Sequence, residues 1–119
     1  MMKKFFMALA LVIICSAASF AQKATVYLVN KSGVEFYGVM MSASDDDEWE
    51  DIMGDETLAN NEKVAINISD RNAAWDIRFF LDPDDLDNGY VDFKNLVFGR
   101  ATTLTLFIDR DGDLAYSLQ

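Results

Sequence analysis

Trp75-Asp76-Ile77-Arg78-Phe79-Phe80-Leu81-Asp82 places Trp75, Ile77, Phe79 and Leu81 on one side of an extended chain and Asp76, Arg78, Phe80 and Asp82 on the other. A two-residue period in a run rich in aromatic and branched side chains is the mark of a half-buried β-strand. The same period recurs on both sides of it. Upstream lie 25–30 (TVYLVN), a Ser32-Gly33 turn into 34–42, where Val34, Phe36 and Met40 alternate with Glu35, Tyr37 and Met41, and then Val64, Ile66 and Ile68 alternating with Ala65, Asn67 and Ser69. Downstream, Asn88-Gly89 turns into 90–98, whose apolar phase slips between Phe93 and Leu96 as a β-bulge would make it do. Leu104, Leu106 and Ile108 follow, and Asp111-Gly112 gives a two-residue hairpin signal into Leu114, Tyr116 and Leu118. About seven short strands with no amphipathic helix predict an all-β fold, a small antiparallel β-sandwich.

The segment before these strands reads as a leader. Met1 to Lys4 is basic, 5–15 is an unbroken apolar run, and Ser19 and Ala21 supply small residues at the −3 and −1 positions of a cleavage site. Residues 1–21 are therefore expected to be a secretory signal peptide, and 22–119 a single β-sandwich domain exported to the periplasm or the outside of a bacterium. The run is short for a membrane anchor and lacks stop-transfer charges, so no membrane span is expected after cleavage. Ile14 before Cys15 is too bulky for a lipidation signal, which leaves Cys15 as a residue of the apolar run.

Cleavage leaves 98 residues and removes the only Cys along with Lys3 and Lys4, so 8 basic residues face 20 acids. The domain must rest on packing or a bound ion, since it has no disulfide. The absence of His, and of Cys after cleavage, excludes Ser-His and Cys-His catalysis and an ordinary zinc site. A mature net charge of −12 argues against nucleic acid. No catalytic motif is present. A carboxylate pair acting on a glycan is the one enzymatic alternative, and a domain this small has little room for the cleft it needs.

The acids concentrate in three connections. The long loop at 43–61 holds Asp45, Asp46, Asp47, Glu48, Glu50, Asp51, Asp55 and Glu56; 82–87 holds Asp82, Asp84, Asp85 and Asp87; the last turn holds Asp109, Asp111 and Asp113. If seven strands alternate in direction, these three connections meet at one end, and Lys31, Arg71 and Arg100 gather at the other. Such an end is expected to bind Ca²⁺, a hard cation that takes six to eight oxygens, through Asp82, Asp84, Asp87, Asp109, Asp111 and one or two of Asp45, Asp46 and Asp47. Carboxylates about 5 Å apart repel by roughly 1 to 3 kcal/mol at an effective dielectric of 20 to 80, and an ion would convert that repulsion into binding. The alternatives are solvated turn acids, and an acidic surface that takes a cationic protein without metal. An EF-hand does not fit, because Gly112 stands at the fourth position counted from Asp109 and Leu86 at the third from Asp84.

Trp49, with Ile52 and Met53, sits among these acids, where a helical turn is expected over 49–53. Trp49 either folds back over the open end of the sandwich or stays exposed with Ile52 and Met53 as an anchor for a protein, a glycan or a cell-surface component. Trp75 belongs to the core. Phe80 and Phe107, with Tyr37 and Met41, fall on outer strand faces, either under the long loop or as the contact of a weak dimer.

Asn30-Lys31-Ser32-Gly33, Ser42-Ala43-Ser44, Trp49-Glu50-Asp51-Ile52-Met53, Leu58 before Asn61-Glu62, and Trp75-Asp76-Ile77-Arg78 occur in this order. In that order the chain resembles small exported bacterial β-domains without an assigned activity. Departures are Ala43 where those domains usually have Pro, Glu50 where Gly often follows the Trp, and Ala59-Asn60-Asn61 in place of Pro-Pro-Gly. The resemblance implies an exported β-sandwich and supplies no catalytic residue.

Overall fold

The computed structural model describes residues 23–46 and 48–119; the expected leader and Asp47 lie outside them. Among the described residues there are eight strands: β1 (Ala24–Asn30), β2 (Gly38–Ala43), β3 (Glu50–Asp51), β4 (Lys63–Ile68), β5 (Ala74–Phe80), β6 (Tyr90–Val97), β7 (Thr103–Ile108) and β8 (Leu114–Leu118). They form two four-stranded sheets, in the orders β4-β1-β7-β8 and β3-β2-β5-β6. Every pairing is antiparallel except β1 with β7. No helix long and apolar enough to cross a membrane occurs among the described residues.

The core lies between the sheets and follows the two-residue period. Val26 and Leu28 of β1, Val64, Ile66 and Ile68 of β4, Ile77 and Phe79 of β5, and Leu104 and Leu106 of β7 are all buried. Phe36 and Phe79 meet at 5.1 Å and Phe79 and Phe93 at 5.9 Å between ring centroids, tilted or edge-on as ring quadrupoles prefer. The phase slip in β6 is a bulge opposite Asp76. Trp75 pairs with Leu96 and Ile77 with Phe93, and Asn95 has φ +60°. The last hairpin is longer than two residues. Gly112 donates to the Asp109 carbonyl and has φ +85°, while Asp109 donates to Asp113, which makes a three-residue loop with glycine in the left-handed position.

Two local expectations change. The alternation expected over 34–42 breaks at Gly38, so Val34 is exposed and Met40 faces outward, while Phe36, Val39 and Met41 are buried. Residues 49–53 form no helical turn, because Glu50–Asp51 adds a short strand to the edge of β2.

That two-residue strand divides the acids between the two ends. Strand direction alternates through all eight strands, so everything after β3 has the opposite sense to a seven-strand count. Residues 81–89 and 109–113 do share an end, and Lys31 lies there too, its N–H bonded to the Leu106 carbonyl. Asp45 and Asp46 fall at the other end with Arg71 and Arg100, where Gly99 donates to the Arg71 carbonyl. Asp55 and Glu56, beyond β3, return to the first end. The single acidic end expected from the sequence is therefore split.

Candidate functional site

Two of the motifs singled out in the sequence, Asn30-Lys31-Ser32-Gly33 and Ser42-Ala43-Ser44, form polar latches. Asn30 is fully buried, and its amide nitrogen donates to the carbonyls of Val34 (2.7 Å) and Leu58 (2.9 Å). Its amide oxygen accepts from the Ser32 N–H (3.0 Å) and hydroxyl (2.6 Å). Gly33, at φ +87°, lets the chain reverse there, since that conformation strains a residue bearing a Cβ. Ser44 donates to the Asp76 carboxylate at 2.6 Å, and the Asn95 N–H in the bulge donates to the same oxygen at 2.9 Å. Burial alone would raise the Asp76 carboxyl; these two hydrogen bonds and the Lys94 charge outweigh it and hold the group below its ordinary range.

On the outer face of the second sheet, Arg78 is fixed by a two-point contact with Asp92 at 2.7 and 2.9 Å. Its guanidinium lies between two rings, 4.5 Å from the centroid of Trp49 and 4.0 Å from that of Tyr90. Trp49 is half-buried rather than a free anchor, with one face of its ring covered by Arg78. Ile52 and Met53 are no surface anchors either, since both are buried in the core. Ile52 is drawn in by its N–H bond to the Val39 carbonyl. Phe80 packs on Tyr90 at 5.7 Å on this outer face, whereas Met41 points into the core.

The two flanks of the sandwich differ. Between the outer strands β6 and β8, Phe93 and Tyr116 meet at 4.9 Å and join the sheets. Between β3 and β4 the sheets part, because β3 covers only Met40 and Met41 of its neighbour. A cleft of about 420 Å³ opens there, floored by Met41, Ile52, Ile66, Ile68 and both tryptophans, with Asp46, Glu48 and Glu50 among its polar lining. Glu50 lies opposite Met41 in the β2–β3 pair and so shares its inward face. Burial, and secondarily the neighbouring Glu48 charge, raise its carboxyl above the usual range. An apolar pocket in which a carboxylate is held at a cost in solvation is where a ligand site is sought first. Sequence reading missed Glu50 because a two-residue strand has no period from which to read a facing direction.

Of the acids expected to bind metal, the fold brings Asp109 and Asp111 together with Asp113, one carboxylate oxygen of each lying within 4.8 Å of the others. No other such group occurs among the described residues. Asp109 Oδ1 already accepts the N–H groups of Asp111 (2.9 Å) and Asp113 (3.0 Å). Asp82 likewise accepts the Asp84 N–H at 2.9 Å within its own loop. Asp84 and Asp87 are exposed, and Asp45 and Asp46 lie at the opposite end.

No family model matches the chain, and no curated protein matches it. Among solved structures it is similar to one described as the NMR structure of the protein from Eubacterium rectale, with 16% identity over 81% of this chain and 87% of that one and a TM-score of 0.51. At that identity the likeness extends to the fold alone.

Proposed function

We propose that the chain is an exported, non-enzymatic binding module, and that the cleft between β3 and β4 takes a ligand with an apolar body and a positive charge. The observation that carries this reading is the inward-facing Glu50 carboxylate beside an apolar floor and two tryptophans. A cationic group brought to Glu50 and Glu48 would offset, by its own attraction, the repulsion and the desolvation cost that raise the Glu50 carboxyl. Arg78 offers no competing charge, because Asp92 neutralises it. The partner is then a cationic protein or cell-surface component met in the periplasm or outside the cell.

Both tryptophans of the chain line this cleft, so their fluorescence reports its occupancy. Titration with hexylammonium is expected to give a saturable change and hexanol a weaker one. Glu50→Gln should weaken the amine by roughly three- to tenfold, the equivalent of about 0.7 to 1.4 kcal/mol, while leaving hexanol unchanged. The same substitution should raise the melting temperature near pH 7. A carboxyl whose folded pKa lies above its unfolded value destabilises the fold at neutral pH, and the penalty fades as pH falls through the folded value. Equal affinity for amine and alcohol would sink the reading.

A second reading, Ca²⁺ binding, is favoured by the closeness of the Asp109, Asp111 and Asp113 carboxylates. If Ca²⁺ binds there, melting at 100 times its dissociation constant gains about 2.7 kcal/mol over EDTA at matched ionic strength, or roughly 10 °C or more for a domain of this size. An unchanged midpoint at millimolar Ca²⁺ removes this reading.

A further inference from the structure

β4 is the outer strand of its sheet, and its sequence, Lys-Val-Ala-Ile-Asn-Ile, carries one charge and no proline. Edge strands of soluble proteins are commonly blunted by charges, proline or a covering segment, because their free N–H and C=O groups template further pairing. At the start of β4, Asn61 (φ +72°) donates to the Asn30 carbonyl and the Asn30 N–H donates to Glu62, the pattern of a β-bulge that leaves the Glu62 carbonyl directed at β1. Antiparallel alternation then turns the N–H and C=O groups of Lys63, Ala65 and Asn67 away from β1, toward the open flank. Clefts lie at both halves of this edge: the one at Glu50, which reaches Ile66 to Ile68, and a second of about 440 Å³ at Lys63 to Ala65, beside Glu56 and Glu62.

We infer that the occupant of this flank is an extended polypeptide segment of a partner protein, with basic residues alternating with apolar ones, that adds to the sheet as a strand beside β4. The inference rests on the cleft reading above and names the ligand's class. Outward-directed backbone donors and acceptors at alternate residues, unpaired among the described residues, select a polypeptide over other amphiphiles. Acids at both ends of the edge select Lys or Arg on it. A second copy of this chain is disfavoured by its own strongly negative charge. Six residues of β4 span about 20 Å, which sets the length of the segment recognised.

The probe is an eight-residue peptide of alternating Lys and Val, compared with the same peptide N-methylated at alternate residues, which keeps the side chains but removes one row of backbone donors. Two methylated peptides, one for each row, cover both registers. Expected are tryptophan fluorescence changes with the unmodified peptide, at least tenfold weaker binding of one methylated form, and slowed amide exchange at Lys63, Ala65 and Asn67. Ala65→Pro, which removes an outward N–H at an edge position where proline is tolerated, should retain the β-sheet circular dichroism signal and lose at least tenfold in peptide affinity while still binding hexylammonium. Equal binding of all three peptides, or exchange at those amides unaffected by bound peptide, overturns strand addition while leaving the cleft reading intact. Failure of hexylammonium as well removes both. Peptide-free dimerisation that protects the same amides would assign the edge to a second copy and also overturn the proposal.

Discussion

Asn30→Ala is expected to lower the melting temperature by roughly 15 to 25 °C, the largest loss from any single polar side chain in this domain. All four hydrogen-bonding positions of the Asn30 amide are used, on Ser32, Val34 and Leu58. Truncation takes this donor from the Leu58 carbonyl in a buried site and from the part-buried Val34 carbonyl, leaving them the Phe36 N–H and the Ser32 hydroxyl. It also releases the turn after β1 from the chain that returns to begin β4. Each unmade buried bond costs on the order of 1 to 3 kcal/mol, so a total of about 3 to 5 kcal/mol is a large share of the 5 to 15 kcal/mol that small domains possess. For a domain of about 100 residues, each kcal/mol moves the midpoint by roughly 4 to 8 °C. Asn30→Asp is nearly isosteric and should be at least as damaging at pH 7, because it replaces two donors with a carboxylate facing two carbonyl oxygens. Differential scanning calorimetry of both variants measures this; a fall of under about 5 °C in either shows that the turn does not depend on the latch.

The second large effect is at Asp76 and depends on pH. Its carboxylate holds the β6 bulge through the Asn95 N–H and the loop after β2 through the Ser44 hydroxyl. Hydrogen bonds to a charged group contribute about 1.5 to 3 kcal/mol each, so Asp76→Ala is expected to cost roughly 2 to 4 kcal/mol at pH 7. The Asp76 carboxyl titrates below its ordinary range in the folded state. Its charge-dependent contribution is therefore fully present above the unfolded pKa near 4 and is lost as pH falls through the lower folded value. Urea unfolding from pH 7 down to pH 2.5 should show the gap between wild type and Asp76→Ala narrowing below about pH 4, while Asp76→Asn, which keeps the shape without the charge, loses this pH dependence. A gap that stays constant to pH 2.5 would mean that the carboxylate form adds nothing beyond packing.

These latches explain why parts of the sequence were readable without revealing their purpose. Trp75-Asp76-Ile77-Arg78 fixes a strand by its alternation, and the slip between Phe93 and Leu96 marks a bulge because a two-residue period cannot slip without one. That Asp76 holds the bulge closed could not be read, because Ser44, Asp76 and Asn95 are far apart in the chain and meet only across three segments. Asn30 is similar: a polar residue before Ser32-Gly33 signals a turn, but its bond to Leu58 spans 28 positions. The acids show the reverse case. Their number was plain, and the position of half a loop was decided by Glu50–Asp51, a strand too short to carry any period.

Composition and local order by themselves determined that this is an all-β domain, where seven of its strands run, and which side chains of most of them face the core. Those properties depend on neighbours two residues apart and on turn residues, which any short window contains. Only the tertiary structure decided the direction of each loop, the parallel meeting of β1 with β7, the closure of one flank by Phe93 and Tyr116, and the opening of the other at β4. Each of these is set by which strands lie side by side, and lateral order leaves no periodic trace along the chain. Twenty acids made the molecule electronegative; the fold placed Glu50 where that charge faces an apolar cleft.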